Sequence, residues 1–132
     1  MILDTCFLID LQRELRDGKA RGAVTFLRMF ALEFPKISLV TWMEFAEGYP
    51  SEREADCRKF LTNFPLLTPD PEVAWRASRI QRDLRAAGQT IGDHDAWIAA
   101  AALAQNCPVV TQNTRHFEGV PGLSLKTYRT GV

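Results

Sequence analysis

The sequence predicts an α/β fold, a parallel sheet with helices packed on both faces. Three observations point to it. Short apolar runs alternate with stretches of helical spacing along the chain, the pattern of strand–helix–strand units joined by right-handed crossovers. The first run, Met1-Ile2-Leu3, ends in Asp4 before helical spacing begins. Such a run reads as a buried strand that delivers a carboxylate to the sheet's carboxyl edge. Finally, the stretch from Ala96 to Ala104 is apolar almost all round, as a fully buried helix would be.

The elements follow in order. Residues 1–4 are the first strand. Phe7, Leu8, Leu11 and Leu15 fall at helical spacing, giving a short helix over 5–13 that Asp17-Gly18 breaks. Val24, Leu27 and Phe30 mark one face of a second helix over 19–33, which Pro35 ends. The β-branched run 37–40 is a second strand. Thr41 is placed to cap a helix starting at Trp42, with Glu44 at capping-box spacing, and Gly48-Tyr49-Pro50 stops it. Residues 51–63 form a charged helix, and Leu66-Leu67, between prolines, a third strand. Val73, Ala77, Ile80, Leu84 and Ala87 share one face of a long helix over 72–87, with Gly88 as its C-terminal cap. Asp93 caps the apolar helix that runs to Gln105; residues 108–111 and 123–125 are the last two strands.

The chain has 132 residues, 46% of them hydrophobic and 24% charged. That is one domain, 1–132, long enough to bury its own core. With 16 basic and 16 acidic residues, the balance argues against a strong, sequence-blind grip on nucleic acid, though it leaves room for a local basic face. Three cysteines without a C-x-x-C spacing argue against a disulfide framework and for a reducing cytoplasm. Neither a membrane-spanning run nor a signal peptide is visible, and with no polar tail at either end the chain reads as a bare domain.

The acids cluster after strand ends. Asp4 closes the first strand, Glu44 follows the second, Asp93 and Asp95 open the buried helix, and Asn113 follows the fourth strand by two residues. Several carboxylates at one sheet edge suit Mg²⁺ or Mn²⁺, which prefer oxygen ligands. Such an ion can activate water and neutralise charge on a phosphodiester. Each acid alone has a plainer reading. Asp4 and Asp93 could be helix caps and Glu44 a capping-box acid, whereas Asp10 and Glu47 read as solvated helix acids. Only the set together points to a metal site.

These residues carry a family resemblance. Met1-Ile2-Leu3-Asp4-Thr5 with Leu8-Ile9-Asp10, Thr41-Trp42-Met43-Glu44-Phe45, Ile91-Gly92-Asp93-His94-Asp95 with Ile98-Ala99-Ala100, and Val110-Thr111-Gln112-Asn113-Thr114-Arg115-His116-Phe117 stand in order along the chain. The set resembles PIN-domain ribonucleases, especially the VapC toxins of toxin–antitoxin pairs. The resemblance implies a three-layer α/β/α fold with a mostly parallel five-stranded sheet. It implies a Mg²⁺- or Mn²⁺-dependent endoribonuclease that acts on RNA, forms a homodimer and is blocked by a cognate antitoxin. By position, Asp4, Glu44 and Asp95 become the acidic metal-site residues, and the family's fourth acidic position falls on Asn113. An amide brings no charge, so Asn113 would position water or substrate. Thr5 and Thr111 would supply hydroxyls to a phosphate or water.

Other features take plainer roles. His94 diverges from Asp95 on a helix, so the two should not share a metal, and His116 reads as a surface residue near Asn113. Arg76, Arg79, Arg82 and Arg85 read as a solvated face. Phe26, Met29, Phe30 and Phe34 divide between core and a partner groove; Trp42, Trp75 and Trp97 read as structural anchors. Two rival enzymes are disfavoured. A phosphohydrolase with a first-strand aspartate would carry a second Asp where Cys6 stands, and a dinucleotide binder would need glycines after the first strand. A catalytically silent PIN-like module that binds RNA or protein is the non-enzymatic alternative.

Overall fold

The computed structural model describes residues 1–129. Its elements are β1 (Ile2–Leu3), α1 (Thr5–Asp17), α2 (Gly22–Phe30), β2 (Ile37–Ser38), α3 (Leu39–Ala46), α4 (Glu54–Leu61), β3 (Leu66–Leu67), α5 (Pro71–Ala86), α6 (Asp93–Ala104), β4 (Val109–Val110), α7 (Thr114–Phe117) and β5 (Leu125–Lys126). All strand pairings are parallel. β4 lies between β1 and β5, and β2 pairs with β3. A parallel bridge from Ile2 to Lys36 joins the two ladders. Leu3 N–H donates to the Lys36 carbonyl at 2.8 Å and Lys36 N–H to the Met1 carbonyl at 3.1 Å. The strand order is therefore 3-2-1-4-5, and it reverses direction beside β1.

Strand alternation divides the core. Ile2 and Val109 point to one face, where they meet Val73, Ala77, Ile80 and Leu84 of α5 and the alanines of α6. Leu3 and Val110 point to the other, where Phe7, Leu8 and Leu11 of α1, Ala23 and Phe26 of α2, Phe45 of α3 and Leu61 of α4 cover them. The α6 helix is buried as its composition requires: Ala96 and the run from Ile98 to Ala102 are all in the core.

Helix ends explain several boundary shifts. α1 runs on to Asp17 because Gly18 accepts a left-handed conformation (φ 68°), and the Lys19 N–H then reaches the Glu14 carbonyl at 3.1 Å. Gly88 (φ 74°) ends α5 in the same way, with Gln89 N–H on the Leu84 carbonyl at 2.8 Å. α2 begins late, at Gly22, because the buried Glu14 carboxylate accepts from the N–H groups of Arg21, Ala23 and Val24 at 2.6, 2.9 and 3.0 Å. A carboxylate satisfies the free donors of a helix start and complements its dipole. Gly22 itself is required, since a Cβ there would run into the Tyr128 carbonyl.

Other expectations are corrected. The second strand stops at Ser38, not residue 40, because the Ser38 hydroxyl caps α3 by accepting from Val40 N–H at 3.2 Å. Thr41 is therefore not a cap, and Glu44 lies past the first turn, not in a capping box. Gly92, not Asp93, occupies the N-cap of α6, and Asp93 instead accepts from Gln81 Nε2 at 3.0 Å. Asp10 is not a free surface acid: it accepts from the Tyr128 hydroxyl at 2.5 Å and pairs with Arg13 and Arg129. Trp75 is largely exposed, not an anchor, and lies under the Arg79 guanidinium, 4.1 Å from its ring centre. Of the four residues left between core and groove, Phe26 is buried, Phe30 half-buried, and Met29 and Phe34 exposed. The short helix α7 has no counterpart in the periodicity, since four residues are too few to show one.

Candidate active site

Asp4 is placed by its strand. Its N–H donates to the Val110 carbonyl at 3.0 Å, which continues the β1–β4 ladder one step past the last paired residues. The next residue opens α1, so the carboxylate sits where the strand order reverses, at the carboxyl ends of the strands. That crevice is where open α/β sheets bind ligands. Asp4 is 4% exposed. One carboxylate oxygen accepts from Thr5 N–H at 2.7 Å and the other from the Thr111 hydroxyl at 2.8 Å. Asp4 therefore does cap α1, but with one oxygen only. The Cys6 thiol stands 3.6 Å from the second oxygen and 3.5 Å from Thr111 Oγ1. Burial, then the Asp4 charge, pushes that thiol's pKa up, so Cys6 stays a neutral donor.

The other residues gather around this point. Thr5 Oγ1 donates to Glu44 Oε1 at 2.7 Å, which ties α1 to α3. Thr111, fully buried just past β4, donates to Asp4 and accepts from Asn113 N–H at 2.9 Å. Asn113 reaches the site through this backbone N–H. Its side chain is exposed and makes no hydrogen bond to a carboxylate among the described residues. Asp95 lies in the first turn of α6. Its pKa is raised, first by burial, then by the charge of Asp4, with Glu44 adding to the rise and His116 opposing it. The three acids thus share one electrostatic environment although they come from three separate elements. Two histidines complete the rim. His94 Nδ1 is 3.0 Å from Glu44 Oε2, and His116 Nδ1 is 3.2 Å from Asp95 Oδ2. The sequence separates His94 from Asp95 correctly but gives no sign of its contact with Glu44, which depends on how α3 meets α6.

The family model of the PIN domain matches residues 1–123. This chain belongs to the PIN-domain family. Over 129 residues it is 30% identical to "Ribonuclease VapC1" of Methanocaldococcus jannaschii, covering 97% of this chain and 86% of that protein. It is 34% identical over 97 residues to "tRNA(fMet)-specific endonuclease VapC" of Shigella flexneri, 70% and 74% of the two chains. Among solved structures, DNA-bound VapBC from Salmonella typhimurium superimposes with a TM-score of 0.75 at 26% identity, over 96% of each chain. VapBC2 from Rickettsia felis gives 0.79 at 20% identity, over 96% and 97%, a likeness of fold alone. The fold of this PIN domain is thus the one its sequence motifs imply.

The donor set of this PIN domain suits a hard divalent cation. Three carboxylates and two threonine hydroxyls offer only oxygen. Among the described residues, none of the three acids pairs with lysine or arginine. Burial raises the Asp95 pKa first, and the charges of Asp4 and Glu44 add to the rise, a repulsion that a cation would relieve. As the side chains stand, no three His, Cys, Asp or Glu residues among those described converge closely enough to hold an ion.

Proposed function

We propose that this PIN domain is a divalent-metal-dependent endoribonuclease, the toxin of a toxin–antitoxin pair acting in the cytoplasm. The observation that carries this reading is that Asp4 and Glu44 lie near enough for their charges to act on Asp95 at the sheet's switch point, with no lysine or arginine paired to any of the three among the described residues. The names of the relatives support it: ribonucleases among the curated proteins, and toxin–antitoxin complexes among the solved structures. By the same support the chain takes a cognate antitoxin as partner. A homodimer is part of the reading.

Asp4, Glu44 and Asp95 would hold Mg²⁺, or Mn²⁺ in its place. When bound, the ion supplies charge neutralisation and lowers the pKa of attacking water. The chain's own residues set the stage. Thr111 and the Thr5 N–H fix both oxygens of Asp4, so that its carboxylate is oriented before substrate arrives. Thr5 fixes one oxygen of Glu44. The Asn113 backbone anchors the loop after β4 to Thr111, leaving the exposed Asn113 amide free to meet RNA or water. In-line hydrolysis adds the water oxygen to phosphorus and breaks the bond to the 3′-oxygen, leaving 5′-phosphate and 3′-hydroxyl ends.

The test is incubation of the purified chain with total cellular RNA in Mg²⁺, Mn²⁺ or EDTA. Discrete products that vanish in EDTA are expected. RNA left intact in every metal, but retained on a filter by the protein, would replace this reading with a binding module.

A further inference from the structure

The segment after β5 is tied to the loop after β4. The β4–β5 ladder ends where Thr111 N–H donates to the Lys126 carbonyl at 2.9 Å. Past that point a side chain continues the pairing. The Gln112 amide oxygen accepts from Tyr128 N–H at 3.0 Å and from Arg129 N–H at 2.6 Å, in the amide orientation that satisfies both donors. Gln112 stands between Thr111, which holds Asp4, and Asn113, whose N–H is held by Thr111 and whose side chain is exposed.

The other side of the segment is fixed on α1. The buried Tyr128 ring packs edge-on against Phe7, with ring centres 4.7 Å apart. Its hydroxyl donates to Asp10 Oδ2 at 2.5 Å, and the Arg129 guanidinium reaches the same oxygen at 3.3 Å. Burial, then the hydrogen bond to Asp10, pushes the Tyr128 pKa up, so the hydroxyl keeps its proton. These contacts close a ring. It runs from Asp4 through Thr111 and Gln112 to Tyr128, then through Asp10 and back along α1 to Asp4. Packing against Phe7 accounts for the Tyr128 ring but not for the Gln112 contact, which serves the loop.

We propose that Gln112 and Tyr128 are positioning residues for RNA cleavage: through their contact the segment after β5 clasps the loop 111–113 to α1 and holds the Asn113 amide in one place for the substrate. This role rests on the nuclease reading above. Gln112 uses its oxygen alone in the clasp, and a glutamate offers the same acceptor, whereas a leucine of similar size offers none.

The test has two readouts on the full chain. The first is exchange of the Tyr128 backbone N–H with solvent deuterium, followed by NMR in EDTA, so that no metal enters. Gln112→Leu should speed it about tenfold, the loss of one such hydrogen bond, and Gln112→Glu should keep it slow. The second is the maximal single-turnover rate on total cellular RNA in Mg²⁺, with protein in excess. Gln112→Leu should lower that rate about tenfold or more, as a displaced positioning group does, and Gln112→Glu should restore it. Tyr128→Phe keeps the ring and frees Asp10; it should slow cleavage too, and adding Gln112→Leu should bring little further loss. In an Asn113→Ala background, Gln112→Leu should change nothing more, because the clasp acts through Asn113. An unchanged rate in Gln112→Leu overturns the proposal. So does a loss that glutamate fails to restore, or one that recurs in full without the Asn113 amide. If the Tyr128 N–H is protected but wild type cleaves no RNA, the nuclease reading falls and the positioning role with it. If wild type cleaves and Gln112→Leu cleaves equally well, the positioning role alone falls.

Discussion

Thr111→Val removes one oxygen from the centre of the site and leaves its shape almost unchanged. Thr111 is fully buried, and besides its long contact with Cys6 Sγ its hydroxyl serves two closer partners. It donates to Asp4 Oδ2 at 2.8 Å and accepts from Asn113 N–H at 2.9 Å. A hydrogen bond to a charged group contributes about 1.5–3 kcal/mol net, and a buried group left without its partner costs about 1–3 kcal/mol. Asn113 is exposed and its N–H can turn to water, so the second loss is the smaller. The sum is about 2–3 kcal/mol, which for a domain of this size lowers Tm by roughly 10 °C. Urea unfolding followed by tryptophan fluorescence reads it as a shift of about 1–1.5 M in midpoint. Thr111→Ser keeps the hydroxyl and loses one buried methyl, so it should cost only about 1 kcal/mol. RNA cleavage should fall in the valine variant and persist in the serine variant, because only the first frees Asp4 to turn. A valine variant as stable as wild type, or a serine variant as damaged as valine, would refute the assignment of Thr111 as the residue that orients Asp4.

Two further predictions concern charge. The pKa of Asp95 is raised above its ordinary value of 3.8, chiefly by burial and the Asp4 charge. The folded chain therefore holds that proton more tightly than the unfolded chain. The stabilisation is complete below the unfolded pKa and is lost as pH rises through the folded one. In EDTA at pH 7, Asp95→Asn should raise Tm, and the advantage should disappear as pH falls towards 4; equal melting of both proteins across that range would contradict the shift. In the second, Glu14→Gln should cost about 2–4 kcal/mol in urea unfolding, because one of its oxygens becomes an NH₂ that faces the backbone donors of α2. An unchanged midpoint would show that α2 does not depend on that carboxylate.

What the sequence shows of this fold is the part written in periodicity and strand ends. The apolar run into Asp4, the all-round apolar α6 and the glycine after α5 each name their element from local chemistry alone. Boundaries fail where a side chain from elsewhere decides them. Ser38 rather than Thr41 caps α3, and Glu14, from a different helix, sets where α2 begins. The site divides along the same line. Asp4, Asp95 and the threonines sit next to strand ends or helix starts, so spacing points to them, whereas Glu44 lies past the first turn of α3. The reach of His94 to Glu44 and of His116 to Asp95 spans packed helices and a four-residue helix, which no spacing encodes. Tyr128 on Asp10 is hidden for the same reason, with the partners 118 positions apart in the chain.

The central claim, that Asp4, Glu44 and Asp95 work as one centre for RNA cleavage, is tested most directly by single-turnover cleavage rates in Mg²⁺. The panel is wild type, Asp4→Asn, Glu44→Gln, Asp95→Asn and the double variant Asp4→Asn/Asp95→Asn, each shown to be folded by circular dichroism. Residues that act as a unit lose activity without adding. Each single variant should therefore fall about a thousandfold or more, with the double variant little worse than the worst single. Near wild-type cleavage in any of the three, or losses that multiply in the double variant, would contradict it.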